Sequence, residues 1–574
     1  MSCSRNTAVA VALLLCCATG FAQQPADAPQ LMTGIGNASI DISTPNPDAK
    51  IWFNQGLNLL HDFWDYESTR AFERSIKADP NCAMCWWGLY QSESFRDNDA
   101  AKAKQALVTA KKLSKHATEP EKLYIKAAVQ SEDHPRKSSK HDDNAKHRDS
   151  NETKTLRKLV AMSPQDVEAK ILLAESMLNG FKKNGDPKPG TVEGQAMLAQ
   201  ILVEHPDDSA ANHFWIHAVE PGNHPELALE SARNLGRLAP ASGHMVHMPG
   251  HIFYRTGDYE AARISFEHSM HVDEAYMRDR HVAPNDDWNY VHNLMYLIAD
   301  LLEEGRVAEA SRMSAKLNTA RGDTRATLYV FSTRDGLTRL NVALPVALRA
   351  GDWIQTASML EASAPDKSLA NLVWLRGALL KYARGMAALD AGNTNEASQH
   401  LGALNAALKI KPEEKPMAGM PMPGPSSTDM EMNPAHTFMD LAALELQGAL
   451  LTAQGKPTEA DAAFQKAAAA EADLGYREPP YYIRPVGETR GDALLRAGRF
   501  ADAKRAYEDA LSERPNSGYP LYGLARVSAA AKDNDATTAA YARLLAAWPH
   551  ADADLAPLRE ARRWMQNHAM PTAE

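Results

Sequence analysis

The sequence predicts an all-α fold, a superhelical solenoid of stacked helix-turn-helix repeats. Three stretches, 484–515, 441–467 and 243–269, carry one pattern of small and aromatic residues, each about the length of a helical hairpin. In the first stretch, Gly498 marks a turn between two apolar segments and Pro515 ends the second segment. A single hairpin does not bury its apolar face alone, so we expect consecutive copies to stack.

The copies share residue types at matching positions. The first copy has Gly491, Leu494, Gly498, Phe500, Ala503, Tyr507, Ala510 and Pro515. The second has Gly448, Gly455, Ala460, Phe464 and Ala467, and the third has Gly250, Gly257, Tyr259, Ala262, Phe266 and Ser269. Looser copies occupy 49–80, 83–100, 209–240, 291–318, 378–405 and 518–549. This unit resembles the tetratricopeptide (TPR) repeat, and the resemblance implies a concave groove lined by the first helix of each unit.

The composition limits the possible functions. The 574 residues carry a net charge of −10, which argues against nucleic-acid binding because such binding needs a basic face. Beyond the N-terminus no run of about 18 apolar residues occurs, so no membrane span is expected. Residues 1–22 combine Arg5, an apolar run and the ending Gly20-Phe21-Ala22, which is typical of a cleaved secretory signal. We therefore expect an exported protein, periplasmic or secreted.

The rest of the chain divides into repeats and connecting segments. Residues 23–48 are expected to form an unstructured leader, and the polar segment 131–155 is predicted as a charged, solvated loop. Residues 411–434 are rich in Pro, Gly and Met, which predicts a linker and no packed helix. The segments predicted as TPR repeats are 49–130, 156–410 with a histidine-rich groove, and 435–565.

Histidines are concentrated in consecutive repeats, and their spacing equals the length of one repeat. His213 and His247 are 34 residues apart, and so are His217 and His251. Within each first helix the pair is spaced i, i+4, so both imidazoles project from one face. Packed helices lie about 8–10 Å apart, so imidazoles on neighbouring helices can share one metal ion. The predicted ligands on this groove-facing stripe are His213, His217, Glu220, His244, His247, His251 and His292.

Other interpretations of these histidines stay open. They can line a ligand groove without metal, or they can pack between helices as hydrogen-bonding side chains. Zinc and copper both accept imidazole ligands, so one of these ions is the expected cofactor. Four further histidines fall in turns or second helices and are expected to be bystanders: His224, His268, His271 and His281.

A more particular resemblance covers most of residues 49–549. The stretches "HFWIHAVE" from His213 and "GHMVHMPGHI" from Gly243, with "LGYREPPYYIRPVGETRGD" later in the chain, resemble a widespread bacterial family of exported TPR proteins. The characteristic patterns are H-x-x-I-H-A-x-E and G-H-x-x-H-M-P-x-H-I. This resemblance favours treating the histidines as one unit, and it implies no particular reaction.

A second group of residues with metal-binding chemistry lies in and beside the predicted linker. Thioethers suit Cu(I), which an exported protein can encounter. The alternative is a flexible linker in which methionine is incidental. The possible soft-metal ligands are Met417, Met420, Met422, Met430, Met432 and His436.

Cys82 and Cys85 are the cysteines that remain beyond the predicted signal peptide, and they form a C-x-x-C pattern. Such a pair can be a redox pair, a metal clip or a disulfide. No second C-x-x-C and no thioredoxin-like pattern accompanies it, which favours a structural disulfide or two buried thiols.

Another unusual segment lies near the C-terminus. Glu488 and Asp492 occupy the repeat positions that His213 and His217 occupy in their own unit. With Tyr482 and Arg484 they are predicted contacts of a ligand in the groove, the alternatives being an acid/base pair or a solvated face.

The sequence contains no G-x-S-x-G, H-E-x-x-H, P-loop or G-x-G-x-x-G pattern that would name an enzyme class. The leading hypothesis is an exported TPR scaffold with a histidine-rich metal site in its groove and a protein or peptide partner. The alternatives are a metal-dependent hydrolase or oxidoreductase that uses the same histidines, and a plain interaction scaffold without metal.

Overall fold

The computed structural model describes residues 29–94, 99–133, 149–182, 184–320, 333–367, 369–410, 427–480 and 482–568. Within these ranges the chain forms 26 α-helices and no β-strand, and nearly all consecutive helices pack against each other in chain order. The predicted class, an all-α solenoid of TPR-like helical hairpins, is confirmed. None of the helices in these ranges is long and apolar enough to cross a membrane.

The helices are numbered in chain order. The first thirteen are α1 Pro47–His61, α2 Asp65–Ala78, α3 Ala83–Ser94, α4 Ala100–Leu113, α5 Glu119–Asp133, α6 Asn151–Met162, α7 Val167–Met177, α8 Pro189–Glu204, α9 Ser209–Val219, α10 Leu229–Leu238, α11 Gly243–Thr256, α12 Tyr259–Arg280 and α13 Trp288–Glu303. The others are α14 Val307–Ala320, α15 Thr333–Leu340, α16 Leu344–Ala350, α17 Trp353–Ala362, α18 Ala370–Asp390, α19 Thr394–Leu408, α20 Ser427–Ala453, α21 Pro457–Leu474, α22 Val486–Arg496, α23 Phe500–Glu513, α24 Gly518–Ala530, α25 Asn534–Ala547 and α26 Ala556–Asn567.

Three first helices of consecutive units, α9, α11 and α13, lie side by side. Each begins at a side chain that accepts a hydrogen bond from a backbone N–H of the first turn: Asp208 for α9, Ser242 for α11 and Asp287 for α13. Such caps stabilise a helix start by about 1 kcal/mol. The residue at which each helix begins, and with it the position of the predicted ligands along the helix, is therefore fixed by nearby residues of the sequence.

The packing of α12 on α11 depends on a residue without a side chain. A Cβ atom on Gly250 would lie 2.4 Å from Cε1 of Phe266, which is closer than real carbon atoms approach. Phe266 is fully buried and its ring lies 5.0 Å from the ring of His247. Gly250 of the repeat pattern therefore leaves room for the Phe266 ring, which packs against the predicted metal ligand His247.

The prediction of an unstructured leader is wrong for residues 29–46. The backbone there is extended but bonded to the repeats: Asn37 N donates to Ser209 Oγ at 3.0 Å, and Ala38 N donates to Asn58 Oδ1 at 2.8 Å. Ile40 and Ile42 in this segment are buried. These apolar side chains gain a buried surface only once the repeats are folded. The predicted signal peptide, residues 1–22, lies outside the described residues.

Two other predicted segments are shorter than expected. Both ends of the predicted charged loop 131–155 are helical, because α5 continues to Asp133 and α6 starts at Asn151. Ser150 caps α6. The first turn of this helix is polar, but the helix is stable because Leu156 and Leu159 on its opposite face are buried. Residues 427–434 of the predicted linker belong to α20, because Gly and most Pro of that linker precede residue 427.

Candidate metal centre

The structure brings three histidines of α9 and α11 together with their Nε2 atoms facing one another. His217 Nε2 lies 3.0 Å from His213 Nε2, which in turn lies 3.1 Å from His244 Nε2. The three ligand atoms all lie within 4.8 Å of one another. We call His213, His217 and His244 the first histidine set.

The other ring nitrogens of His213 and His217 point at oxygen atoms that only accept. His213 Nδ1 lies 2.6 Å from the backbone carbonyl oxygen of His61, and His217 Nδ1 lies 2.9 Å from Glu220 Oε1. A carbonyl or carboxylate oxygen accepts a hydrogen bond, so each Nδ1 carries the hydrogen. In the neutral imidazole the Nε2 atom then holds a lone pair, and this lone pair points into the set.

The same reasoning applies to His244. Its Nδ1 lies 3.3 Å from Asn289 Oδ1. The orientation of that amide is fixed on its other side, where Asn289 Nδ2 donates to Asp273 Oδ2 at 2.8 Å. The amide oxygen therefore faces the imidazole, and the third Nε2 lone pair also points into the first set.

A second histidine set repeats this arrangement one unit along the solenoid. It contains His247 and His251 of α11 and His292 of α13, with His251 Nε2 at 2.7 Å from His247 Nε2. His247 Nδ1 lies 2.7 Å from Asn293 Oδ1, and Asn293 Nδ2 donates to the Phe266 carbonyl oxygen. Each set thus takes an i, i+4 pair from one first helix and a third histidine from the next.

Glu220, at the C-terminal end of α9, connects the two sets. Its Oε1 accepts from His217 Nδ1 of the first set, and its Oε2 accepts from His251 Nδ1 of the second set at 2.9 Å. Burial alone would raise the pKa of Glu220, but the adjacent His251 and His217 outweigh burial and hold this pKa well below its ordinary value. Glu220 is therefore a carboxylate that positions one ligand in each set.

Burial also acts on the imidazoles. It lowers the pKa of His213, His244 and His247 well below the ordinary value, and the neighbouring histidines add to this effect. Burial lowers the pKa of His251 too, partly offset by Glu220. Neutral imidazoles are the form that binds metal ions.

The location of the sets differs from the predicted open groove. His213, His247 and His251 are fully buried, His244, His292 and Glu220 are nearly so, and only the side chain of His217 keeps 23% exposure. The repeat pattern correctly grouped these residues on one stripe. It did not reveal the segments that cover the stripe, because those segments come from distant parts of the chain.

One cover is Phe63, in the turn between α1 and α2. Its ring lies 5.2 Å from that of His217 and 5.1 Å from that of His244, stacked on both. Phe63 has a φ angle of 56°, a left-handed conformation that is rare and costly for a bulky residue. Backbone strain of this kind persists where the surrounding structure requires it, here directly against the first set.

The other cover is the loop between α21 and α22. Tyr476 Oη donates to Glu220 Oε2 at 3.0 Å, and Glu478 Oε2 lies 3.9 Å from His251 Nδ1 and 4.0 Å from His292 Nε2. Burial raises the pKa of Glu478 well above its ordinary value, and the adjacent Glu220 raises it further.

Several residues of this centre could not be predicted from the repeat pattern. Their common feature is that only tertiary contacts bring them to the histidines. The one hint concerned Tyr476 and Glu478, which lie in the family-like stretch "LGYREPP". The missed residues are His61, Phe63, Asn289, Asn293, Tyr476 and Glu478. The expected bystanders His224, His268, His271 and His281 are exposed and belong to neither set.

The predicted groove contacts near the C-terminus also have internal partners. Glu488 is buried and binds Arg349 at 2.8 Å, so the alternative of a solvated face is wrong for this residue. Arg484, Glu488 and Asp492 line a cavity of about 410 Å³, and a ligand contact there stays a prediction. Tyr482 is buried and donates to Glu445. Arg484 pairs with Asp492, which also accepts from Tyr507 at 2.6 Å. Contacts between helices, which no single repeat reveals, therefore engage all four side chains, although Arg484 Nε makes no hydrogen bond.

The remaining candidates lie elsewhere. Cys82 and Cys85 form a disulfide at the start of α3, and both are buried. His436 packs against Trp374, with ring centroids 4.0 Å apart, far along the chain from both sets. Met417, Met420 and Met422 lie outside the described residues, as do the side chains of Met430 and Met432.

Comparisons with known proteins add no function. No family model matches the chain, and the search of curated proteins gives no match. Solved structures that it resembles include human IFIT1 with m7Gppp-AAAA, at 12% identity over 88% of this chain and 91% of that chain, with a TM-score of 0.31.

Two further structures are similar at the same level. The Cut9–Hcn1 hetero-tetramer of the APC/C is 13% identical over 89% of this chain and 96% of that chain, with a TM-score of 0.27. Yeast Tom70 is 10% identical over 90% of this chain and 95% of that chain, with a TM-score of 0.28. At such TM-scores the fold assignment depends on the packing of this chain's own helices, and membership of the bacterial family stays a prediction.

Proposed function

We propose that the protein is an exported, TPR-like metalloprotein that holds one zinc or copper ion in each of its two histidine sets. The observation that carries this proposal is the direction of the imidazole lone pairs. Acceptors outside the sets bind the Nδ1 hydrogens of five of the six histidines, as is usual around metal-binding histidines. The Nε2 lone pairs therefore converge, at separations of 2.7–3.1 Å for the pairs given above, and such lone pairs repel unless a cation lies between them.

The spacing fits a metal ion. Bonds of about 2.0–2.1 Å in tetrahedral geometry place two ligand nitrogens about 3.3 Å apart. The first set, with separations of 3.0 and 3.1 Å, needs only a small outward shift. A proton is the other cation of suitable size. Burial disfavours a proton there, because burial lowers the pKa of His213, His244 and His247.

The donor chemistry favours zinc or copper. Each set offers imidazoles without a thiolate, a combination that suits both ions. Glu220 supplies the outer carboxylate that commonly orients such imidazoles, and it does so for both sets at once. The TPR-like architecture supports a role as a scaffold, and the partner we propose is a protein or peptide bound by the solenoid.

A second candidate function, a metal-dependent enzyme, rests on a specific observation. Each set has three histidines, and catalytic metal sites commonly keep a fourth position open for water or substrate. A cavity of about 1100 Å³ also reaches His244 of the first set. Metal-dependent turnover of an ester or of an oxidisable phenol that is lost in His217→Ala would favour this candidate over the scaffold.

Metal stoichiometry tests the main proposal. We expect protein purified without an affinity tag and loaded with Zn²⁺ or Cu²⁺ to hold two ions per chain by elemental analysis. His217→Ala removes a ligand of the first set and His251→Ala one of the second, so each variant should hold one ion. His224→Ala is the matched control, because that histidine is exposed and pairs with the exposed Glu226. Unchanged stoichiometry in both site variants would reject the histidines as ligands.

The proposed export has its own test. Protein recovered from the periplasmic fraction or the medium should begin at Gln23 by mass spectrometry, because the predicted signal ends at Ala22. An intact Met1 in the mature protein would contradict export through this signal.

A further inference from the structure

The cavity beside the first histidine set has features of a ligand site that metal binding does not explain. Its volume of about 1100 Å³ slightly exceeds the range of about 300–1,000 Å³ found for small-molecule sites. Its wall is formed by the turn after α1, the start of α11, and the segment that joins α12 to α13. His244 and Asn289 belong both to this wall and to the first set.

The wall is strongly acidic. Seven Asp or Glu side chains line it, against three Lys or Arg side chains. One of those cations, Lys102, is already engaged, because its Nζ lies 2.7 Å from Glu73 and 2.6 Å from Glu93. A second, Arg70, lies 3.5 Å from Glu67, a carboxylate outside the cavity wall. The cavity wall therefore has a surplus of carboxyl groups over cationic side chains.

Asp62 is the independent observation that points to a ligand. Its side chain lines the cavity, the residue is only 1% exposed, and neither carboxylate oxygen has a partner in hydrogen-bond geometry. Burying a carboxylate without partners is costly, and native structures seldom retain one without a reason. Burial raises the pKa of Asp62 well above its ordinary value, and the nearby Ser242 hydroxyl and His61 offset this only in part.

Aromatic rings form the other part of the wall. Trp64 and Tyr276 are in contact, with ring centroids 4.5 Å apart, and Phe63, Tyr66 and Trp288 also line the cavity. Aromatic faces attract ammonium and guanidinium groups, by about 0.5–2 kcal/mol for each contact. Carboxylates combined with aromatic faces are the usual surroundings of an organic cation.

We propose that this cavity binds an organic cation, an ammonium or guanidinium group, with Asp62 as its buried countercharge. A metal ion is the less suitable occupant. In the part of the chain that the structure describes, three-ligand clusters occur among the histidines and with Glu220 and Glu478, and Asp62 belongs to none of them. The cation site requires no metal in the histidine sets. The cation site is linked to the proposed function at one point, because its occupant would lie beside His244, a ligand of the first set.

Calorimetric titration tests the site with defined probes. Phenethylamine carries the ammonium and an aromatic ring, and 2-phenylethanol is its neutral counterpart. The peptides Gly-Gly-Arg-Gly-Gly and Gly-Gly-Gln-Gly-Gly test whether the cation belongs to a peptide partner or to a small amine. We expect a cationic probe to bind and its neutral counterpart not to bind. Equal binding of both counterparts, or no binding of either cation, would overturn the proposal.

Variants identify the countercharge. Asp62→Asn keeps the shape and removes the charge, so affinity for the binding cation should fall about 10–100-fold. Its melting temperature should not fall, because the amide oxygen can accept from the Ser242 hydroxyl as the carboxylate can. Asp287→Asn is a second variant that retains an α13 cap, and it should weaken binding several-fold. The control Asp535→Asn changes an exposed carboxylate and should bind as the natural protein does. Full affinity in both cavity variants would overturn the proposal.

The titrations are run in chelator and again with Zn²⁺, which separates this inference from the proposed function. Cation binding without any metal uptake would leave the cavity site standing and would contradict the metal proposal. Two bound metal ions without cation binding would support the metal proposal and overturn the cation site.

Discussion

The hydroxyl of Tyr476 donates a hydrogen bond of 3.0 Å to Oε2 of Glu220, across 256 positions of the sequence. The same carboxylate holds one imidazole of each histidine set. A loop near the C-terminus therefore helps to position ligands on the central helices. Both histidine sets depend on how the solenoid brings these two regions together.

Replacing Glu220 by Gln should weaken metal binding although no histidine is lost. The amide of glutamine has one acceptor oxygen, so it serves either His217 or His251, and its NH₂ group opposes the other Nδ1 hydrogen. We expect one of the two ions to bind about 10–100-fold more weakly, measured by competition with a chelator of known affinity. Glu226→Gln alters an exposed His–Glu pair and should change nothing. Two ions bound with natural affinity would exclude a positioning role for Glu220.

Tyr476→Phe removes one hydrogen bond from the same carboxylate. We expect about tenfold weaker metal binding with two ions still bound, because Glu220 keeps its histidine partners but loses the hydroxyl that fixes it. The comparison is Tyr522→Phe, whose hydroxyl bonds to the exposed Glu560. Natural affinity in Tyr476→Phe would mean that the loop only covers the centre.

Metal should raise thermal stability through the histidine sets. An ion that binds only the folded chain stabilises it by about 4 kcal/mol at a concentration of 1,000 Kd. We expect the melting temperature to rise on adding Zn²⁺, and to stay unchanged on addition in the double variant His217→Ala, His251→Ala. In chelator the variant should melt lower only by the cost of the two truncated side chains, a smaller difference than the one seen with metal. A variant that melts lower in chelator by the full difference would identify these histidines as packing residues.

Arg349 should be needed for folding stability. It is 1% exposed and bonds to Glu303 and Glu488, which joins α16 to α13 and α22. Arg349→Met leaves two buried carboxylates without their countercharge, so the free energy of unfolding in urea should fall by about 3–5 kcal/mol. Arg312→Met, which affects an exposed pair, should cost about 1 kcal/mol or less. Equal losses in the two variants would show that the buried network adds no stability.

Glu445 predicts a pH dependence of stability. Burial raises the pKa of this carboxyl from 4.5 to about 7, although hydrogen bonds from Tyr482 and Tyr382 act in the opposite direction. The folded chain thus holds the proton more tightly than the unfolded chain. The resulting stability is fully present below pH 4.5 and is lost as the pH rises through about 7.

The measurement compares natural protein with Glu445→Gln, which resembles the protonated form at every pH. The difference between their unfolding free energies should shift in favour of the variant by up to about 3 kcal/mol between pH 4.5 and pH 8. Glu459→Gln, an exposed site on α21, should show no such shift. A constant difference across this range would mean that Glu445 titrates normally.

The sequence by itself determined the helical repeat and the grouping of the histidines. A period of 34 residues repeats the same side chain at the same place on successive first helices, so His213 and His247 share a stripe wherever the helices pack. Caps such as Asp208 and Ser242 fix where those helices begin. These features are local, and local patterns are what a sequence expresses directly.

Only the tertiary structure decided that the stripe is buried, that it forms two sets and not one, and what surrounds it. The division follows from how closely α9, α11 and α13 pack, which places His292 with His247 and leaves His244 with His213. The His61 carbonyl, Phe63 and Tyr476 reach the centre from remote segments. Such contacts depend on the path of the whole solenoid, because a hydrogen bond or a stacked ring requires positions within a few ångströms that no single repeat specifies.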